Sequence, residues 1–228
     1  MFVWLDRLYC NQLFQLTKIL IDQAMAELFE LAFDDEDIVV ELASEELLFT
    51  NQPVGYIRIS SGQILAGDPA RASDALQLMA TFPKGEFLAE VAIAEFEDGE
   101  EVIGYFRIKF SEDTPQHWES ATYSGENASE STLVESGIFV LADANLLSDL
   151  PAIDGEEREA VMNKLNDALD ETYEDDRAWA ELDLESGNLV ACSSGDSAGT
   201  YSTYIGRDAS GNICRLLVDF ALFEEDEE

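Results

Sequence analysis

Short apolar runs separated by turn residues fill most of this sequence, and no other feature constrains the fold as strongly. Residues 86–96 and 101–110 alternate apolar with polar side chains, as do strands that expose one face to solvent. The tetrapeptide Glu97-Asp98-Gly99-Glu100 between them predicts a hairpin, and Ser61-Gly62 predicts another between residues 54–60 and 63–66. Further strands are expected at residues 117–123, 137–141, 178–182, 189–192, 201–206 and 213–222.

Two segments have the three-to-four residue period of a helix instead. One is residues 155–171, within the strand-rich region. The other is residues 3–32, where an apolar stripe consists of Leu5, Tyr9, Leu13, Leu16, Leu20, Ala24, Leu28 and Leu31. Such a stripe predicts a long amphipathic helix packed on the sheet, with a subunit or partner contact as the alternative.

The expected fold class is therefore α+β, because many hairpins and few helices are typical of that class. We expect a single antiparallel, β-rich domain over residues 34–223. The long N-terminal helix at residues 1–33 precedes it, and a short acidic tail at residues 224–228 follows.

The charge of the chain limits its partners. The sequence has 49 Asp and Glu against 12 Lys and Arg, a net charge of −37. Four acids and two bases fall in residues 1–33, a net charge of −2, which leaves −35 for the rest. Such a surface repels nucleic-acid phosphates and anionic lipid headgroups and attracts basic proteins. We therefore expect a basic protein partner and neither nucleic acid nor a membrane.

The cysteines favour a reducing compartment. Cys10, Cys192 and Cys214 are odd in number and have no Cys-x-x-Cys spacing, unlike a disulfide framework. No apolar run reaches the roughly 18 residues of a membrane-spanning helix. The first residues also lack the cationic start of a signal peptide. The sequence predicts a cytoplasmic protein.

The segment Gly195-Asp196-Ser197-Ala198-Gly199 matches the Gly-x-Ser-x-Gly motif of a hydrolase nucleophile. In such hydrolases an acid and a histidine follow the serine, but the only histidine of this chain, His117, precedes Ser197. A chymotrypsin-like order of His117, an acid and Ser197 is formally allowed, without any further signature to support it. Residues 201–205 also have the pattern of a strand where a hydrolase needs a helix. We expect a glycine-rich turn and no enzyme activity.

Cofactor and metal motifs are missing from the sequence. One histidine and three scattered cysteines cannot build a typical zinc site, and no acidic run has the spacing of an EF-hand loop. Glycine-rich phosphate loops are also lacking. We expect no cofactor and no metal centre.

Three acidic clusters are the candidate partner-binding residues. They are Asp34, Asp35, Glu36 and Asp37; Glu97, Asp98, Glu100 and Glu101; and Glu174, Asp175 and Asp176. Each cluster could be a solvated surface without any recognition role. The functional interpretation is a surface that attracts a basic partner, because carboxylates placed where phosphates would lie give fast, steered association.

Three stretches of the chain have the pattern of a known family: Ser61-Gly62-Gln63-Ile64-Leu65-Ala66-Gly67-Asp68-Pro69, Pro83-Lys84-Gly85-Glu86-Phe87 and the run from Tyr201 to Phe220. On these stretches, residues 54–223 resemble the bacterial family called domain of unknown function 4241. The late motif of the family is matched by Ser194, Gly195, Gly199, Tyr201, Tyr204, Gly206, Asp208 and Gly211. Ser197 and Ala198 replace a glycine and an aspartate of that motif. The resemblance implies a glycine-rich turn between strands at this point, and it implies no established activity.

Two hypotheses for the function follow. The first is a non-catalytic inhibitor or immunity-type protein that binds a basic partner, such as a toxin, a nuclease or another nucleic-acid-binding protein, by mimicking a polyanion. The second is a halophilic or salt-tolerant cytoplasmic protein whose acidity serves solubility. A homodimer formed through the N-terminal helix is compatible with either hypothesis.

Overall fold

The described part of the chain is mostly β-sheet. A computed structural model describes residues 28–34, 38–42, 45–71, 76–124, 129–148, 156–195 and 198–222. Within these residues the strands are β1 (Ile38–Leu42), β2 (Glu45–Ile59), β3 (Ile64–Gly67), β4 (Gly85–Glu95), β5 (Glu101–Lys109), β6 (His117–Ser120), β7 (Ser131–Val134), β8 (Ile138–Asp143), β9 (Trp179–Leu184), β10 (Gly187–Ser193), β11 (Gly199–Arg207) and β12 (Ile213–Asp219). Helix α1 (Glu156–Asp170) lies between β8 and β9.

The strands form two sheets in which every described pair is antiparallel. The larger sheet has the order β1-β2-β4-β5-β12-β11, and both β6 and β7 pair with the far edge of β11. The smaller sheet has the order β3-β8-β10-β9. The hairpin expected at Asp98-Gly99 is confirmed, because β4 and β5 pair with Glu95 opposite Glu101.

The main core lies between the two sheets and contains the inward side chains of both, among them Phe106, Phe139, Val190 and Leu216. Leu165 and Leu169 of α1 cover the outer face of the smaller sheet. Phe29, Ala32 and Phe33 cover the outer face of the larger sheet. Burying each large apolar side chain stabilises the fold by about 1.5–3 kcal/mol, so the strand alternation gives the chain a continuous driving force for this layered arrangement.

The predicted α+β class with a long N-terminal helix is wrong, because the described chain is predominantly sheet. Segments left unassigned from sequence become strands β1, β7 and the first half of β2. Of the predicted helix at residues 3–32, residues 3–27 lie outside the described residues, and residues 28–31 are helical. The predicted helix at residues 155–171 is confirmed as α1.

The hairpin expected at Ser61-Gly62 is also wrong, since β2 belongs to the larger sheet and β3 to the smaller one. The side chain of Asp143, at the end of β8, stabilises the connection between β2 and β3. Its Oδ2 accepts hydrogen bonds from the backbone N–H groups of Ser60 and Ser61, at 2.5 and 2.7 Å. The local turn signal was correct, but a buried carboxylate from another strand directs the chain to the second sheet.

The second half of β2 lies against side chains of the smaller sheet. Asn188 Oδ1 accepts a hydrogen bond from Arg58 N at 2.9 Å, and Glu181 Oε2 accepts one from Tyr56 N at 3.0 Å. The register of β2 shifts between Pro53 and Gly55, which bends the strand toward these side chains. The two sheets are therefore joined by polar contacts at this edge as well as by the apolar core.

Candidate functional site

The β4–β5 hairpin carries the second acidic cluster at its tip. Phe96 N donates to Glu100 O at 2.8 Å, and Glu100 N donates to Asp98 Oδ1 at 3.1 Å. The side chain of Asp98 thus closes its own turn, as aspartate does in short loops. Glu97, Asp98 and Glu100 are exposed. The paired strands on either side place the backbone of this turn at the end of the larger sheet.

The third acidic cluster forms a tight turn after α1. Glu174 N donates to Arg177 O and Arg177 N to Glu174 O, each at 3.0 Å. The central residues Asp175 and Asp176 have φ values of +48° and +63°, which is the left-handed region that type I′ turns require. All three acidic side chains of the cluster are exposed.

Arg177 brings these two clusters together. Its Nη2 pairs with Glu101 Oε2 at the start of β5 and lies 3.6 Å from Glu174 Oε2. Only 11% of the Arg177 side chain is exposed, and its guanidinium lies 5.9 Å from the ring centre of Trp179. The arginine is therefore an internal support for the two turns rather than a basic group offered to solvent.

We call the combined surface the acidic end. It consists of Glu97, Asp98, Glu100, Glu101, Glu174, Asp175 and Asp176. Seven carboxylates against the single guanidinium of Arg177 give it a formal net charge of −6. A fixed concentration of like charge creates a potential of several kT that steers a basic protein toward it.

Tyr173 adds an aromatic side chain to the acidic end, and sequence reasoning missed it. The side chain is 59% exposed, and its hydroxyl donates to Asp176 Oδ1 at 2.5 Å. This hydrogen bond to the Asp176 carboxylate raises the pKa of Tyr173. Exposed tyrosines are enriched at protein interfaces. The available signal was an aromatic residue within an acidic run, Glu171-Thr172-Tyr173-Glu174.

The first acidic cluster is not brought to this surface by any described contact. Asp34 is exposed, and its backbone carbonyl accepts a hydrogen bond from Asn51 Nδ2 at 3.1 Å on the outer face of the larger sheet. Asp35, Glu36 and Asp37 lie outside the described residues. Two of the three predicted clusters therefore share one site, and the third contributes Asp34 elsewhere.

The Gly-x-Ser-x-Gly segment connects two strands, β10 and β11, whereas a hydrolase elbow leads into a helix. Ser197 itself lies outside the described residues. His117 pairs with Arg207, at the opposite end of β11 from Gly199. Gly199 and Arg207 are eight positions apart along the strand, about 26 Å.

The described start of the glycine-rich loop lies near the acidic end. Gly195 is packed against Phe220 and the backbone carbonyl of Ile103, two residues along β5 from Glu101. Tyr201 OH donates to Ser194 O at 3.1 Å and closes the base of the loop. Gly195, near the start of the late motif, therefore lies close to the β5 end of the acidic end.

Among the described residues, no three His, Cys, Asp or Glu side chains are arranged to hold a metal ion. The two cysteines of the described chain, Cys192 and Cys214, are free and buried. None of the described helices combines the length and the apolar character needed to cross a membrane.

The comparisons with known proteins agree with the resemblance found in the sequence. No curated protein and no solved structure matches the chain. One family model, described as a protein of unknown function (DUF4241), matches residues 57–218, which include both sheets from the second half of β2 onward. The chain therefore belongs to the DUF4241 family.

Proposed function

We propose that this protein is a non-catalytic binding protein of the inhibitor or immunity type, which uses the acidic end to occupy a basic cleft of a partner protein. The observation that carries the proposal is the Arg177–Glu101 ion pair. It draws two acidic turns, far apart in the chain, onto one surface and leaves Glu97, Asp98, Glu100, Asp175 and Asp176 exposed.

The backbone of this surface supports the same proposal. Asp175 and Asp176 occupy left-handed conformations, which aspartate tolerates but glycine adopts more readily. Glycine at position 176 would form the turn at lower cost, as in the Asp-Gly turns of many hairpins. The charge of Asp176 therefore stands where local stability alone favours a neutral residue, which supports a role in recognition.

The chemistry of the partner follows from the surface. Carboxylates held on two rigid turns can replace the phosphates that a nuclease or another nucleic-acid-binding protein recognises. Tyr173 supplies an aromatic contact beside the charges. The buried thiols of Cys192 and Cys214 fit a reducing compartment, and we propose that the protein acts in the cytoplasm.

The test compares two double charge reversals. The first variant combines Glu97→Lys with Glu100→Lys and changes the acidic end. The control variant combines Glu86→Lys with Asp113→Lys, which changes the net charge by the same amount at the opposite ends of β4 and β5. Both control residues are exposed. Basic proteins captured from lysate of the source cells at low salt would be purified. Their association rate constants with the wild type and both variants would then be measured at two ionic strengths.

We expect the reversal at the acidic end to slow association by about ten-fold or more at low salt and much less at high salt, because exposed charges act mainly on the encounter rate. The opposite-end variant should behave as the wild type. Equal rates for all three proteins would contradict the proposal and favour the alternative that the acidity serves solubility in a salt-rich environment.

A further inference from the structure

Strand β9 ends the smaller sheet, so one of its edges pairs with β10 and the other faces outward. The carbonyl of Ala178, just before β9, accepts a hydrogen bond from Ser193 N at 2.9 Å on the side of β10. Backbone groups alternate in direction along an antiparallel strand. The N–H and C=O groups of Trp179, Glu181 and Asp183 therefore face the outer edge.

A threonine side chain occupies the first of these three positions. Trp179 N donates to Thr172 Oγ1 at 2.9 Å, and Thr172 Oγ1 donates to Trp179 O at 2.6 Å. Both contacts agree with the outward direction of the Trp179 backbone. No described residue pairs with the backbone groups of Glu181 and Asp183 at this edge. The outer edge of β9 thus offers two donors and two acceptors to another strand.

The side chains of the same two residues are directed toward β2. Charged side chains on an edge strand commonly protect it from pairing with another chain. Here Glu181 Oε2 accepts a hydrogen bond from Tyr56 N at 3.0 Å, and Asp183 Oδ1 pairs with Arg58 Nη2. Glu181 and Asp183 are nevertheless exposed residues. Their carboxylates are held by β2 rather than placed across the edge.

The two faces of β9 differ in chemistry beside this edge. Because side chains alternate along a strand, Glu181 and Asp183 lie on one face, and Leu182 and Leu184 lie on the other. The two leucines are half-buried and pack against the apolar cluster under α1. The turn that carries the third acidic cluster directly precedes β9, so the edge continues the acidic end. A strand with alternating basic and apolar side chains complements both faces.

We propose that the outer edge of β9 binds an extended segment of the partner protein, with alternating basic and apolar side chains, as an added antiparallel strand. This site rests on the proposed function, because the segment belongs to the same basic partner. Main-chain hydrogen bonds to Glu181 and Asp183 supply affinity, and the alternation supplies specificity. In the antiparallel arrangement, a basic residue opposite Glu181 or Asp183 directs its own N–H and C=O toward β9.

The probe for this site is a capped synthetic peptide of alternating lysine and valine, titrated into the full chain by calorimetry. A lysine-rich peptide also binds an acidic protein through charge alone. Two N-methylated forms of the peptide are therefore the matched controls. One carries the methyl groups on the lysine backbone nitrogens and the other on the valine backbone nitrogens, so both keep the same side chains and charge.

We expect the lysine-methylated peptide to bind about ten-fold or more weakly than the valine-methylated one, because only the former loses the N–H groups that face β9. The unmodified peptide should bind as tightly as the valine-methylated form or more tightly. Equal affinities of the two methylated peptides would show attraction by charge alone and would overturn the proposal. The reverse order would overturn it as well.

Two variants of Asp183 locate the binding on the protein. Asp183→Pro removes the outward N–H and keeps the hydrogen bonds to β10, since proline is tolerated on an edge strand when its nitrogen faces solvent. Asp183→Ala removes the same carboxylate and keeps the N–H. We expect about ten-fold weaker binding of the unmodified peptide to Asp183→Pro than to Asp183→Ala. Equal binding to both folded variants would overturn the site.

Circular dichroism would establish that both variants fold. If Asp183→Pro does not fold, the two methylated peptides on the wild type decide the matter. None of these measurements uses the basic partner. Peptide binding at β9 can therefore fail while charge reversal at the acidic end still slows association. Selective peptide binding without any effect of the charge reversals would instead contradict the proposed function and support the β9 site.

Discussion

The side-chain amide of Asn188 takes the place of a neighbouring strand for the backbone of Arg58. Its Oδ1 accepts a hydrogen bond from Arg58 N at 2.9 Å, and its Nδ2 donates to Tyr56 O. Asn188 is fully buried and belongs to the other sheet. One amide therefore satisfies a donor and an acceptor on the edge of β2, two residues apart, where no described strand of the larger sheet pairs with that edge.

Replacing Asn188 with Leu should lower the free energy of unfolding by about 1–3 kcal/mol, because it removes the hydrogen bonds that the buried amide makes with Arg58 N and Tyr56 O. Urea unfolding followed by tryptophan fluorescence would measure the change. Asn166→Ala, at an exposed position of α1, is the control and should change stability by less than about 0.5 kcal/mol. Equal stability of both variants would show that the amide bridge is dispensable.

Gly55→Ala should destabilise the fold more than Gly99→Ala. Gly55 has a φ of +149°, and a Cβ there would lie 2.3 Å from Glu181 Oε2, whereas Gly99 has a φ of +87° and open space around it. Both variants strain the backbone by about 1 kcal/mol, and only Gly55→Ala also displaces Glu181 from Tyr56 N. Thermal unfolding of both would test this order; a larger loss for Gly99→Ala would contradict it.

Asp68 should make the free energy of unfolding depend on pH in the acidic range. Burial raises its pKa, but hydrogen bonds from the backbone N–H groups of Glu135, Ser136 and Ala70 and from the Ser136 hydroxyl more than offset this and leave the pKa below its ordinary value. The carboxylate of Asp68 therefore binds a proton more readily in the unfolded chain than in the folded one. The stabilisation is complete above the unfolded pKa of about 3.9 and is lost as the pH falls through the lower folded value.

Asp68→Asn should therefore lower the free energy of unfolding by about 2–3 kcal/mol at pH 7, since one amide oxygen cannot serve four donors. The difference from the wild type should shrink below about pH 4, where the wild-type carboxylate begins to lose its advantage. Denaturant unfolding between pH 3 and pH 7 gives the comparison, with exposed Asp113→Asn as the control. A difference that does not vary with pH would contradict this account.

Asp175→Asn combined with Asp176→Gly should stabilise the protein by about 1 kcal/mol, because these residues adopt positive φ more readily. Asp175→Ala with Asp176→Ala removes the same two charges but keeps the strain, so it separates the backbone effect from relief of charge repulsion. Both unfolding free energies would be measured at the same ionic strength. Equal gains for the two variants would assign the effect to charge alone.

Several features could be predicted from residues near one another in the chain. The alternation in β4 and β5 and the turn at Asp98-Gly99 gave the hairpin, and the period of α1 gave the helix. The composition gave the acidity, and the late glycine and tyrosine motif gave the family. These features depend on local conformational preference and on which side of an element is apolar. Short stretches of sequence determine both.

The tertiary structure alone decided how these elements meet. Residues 58 and 188 are 130 positions apart, and no periodicity predicts that a polar side chain of β10 would replace a strand beside β2. The same holds for Arg177, which joins two of the acidic clusters, and for Arg107 and Arg215, which both lie beside Glu30. Periodicity states which face of an element is buried, whereas the partner of that face depends on which sheet edges pair and how the layers stack.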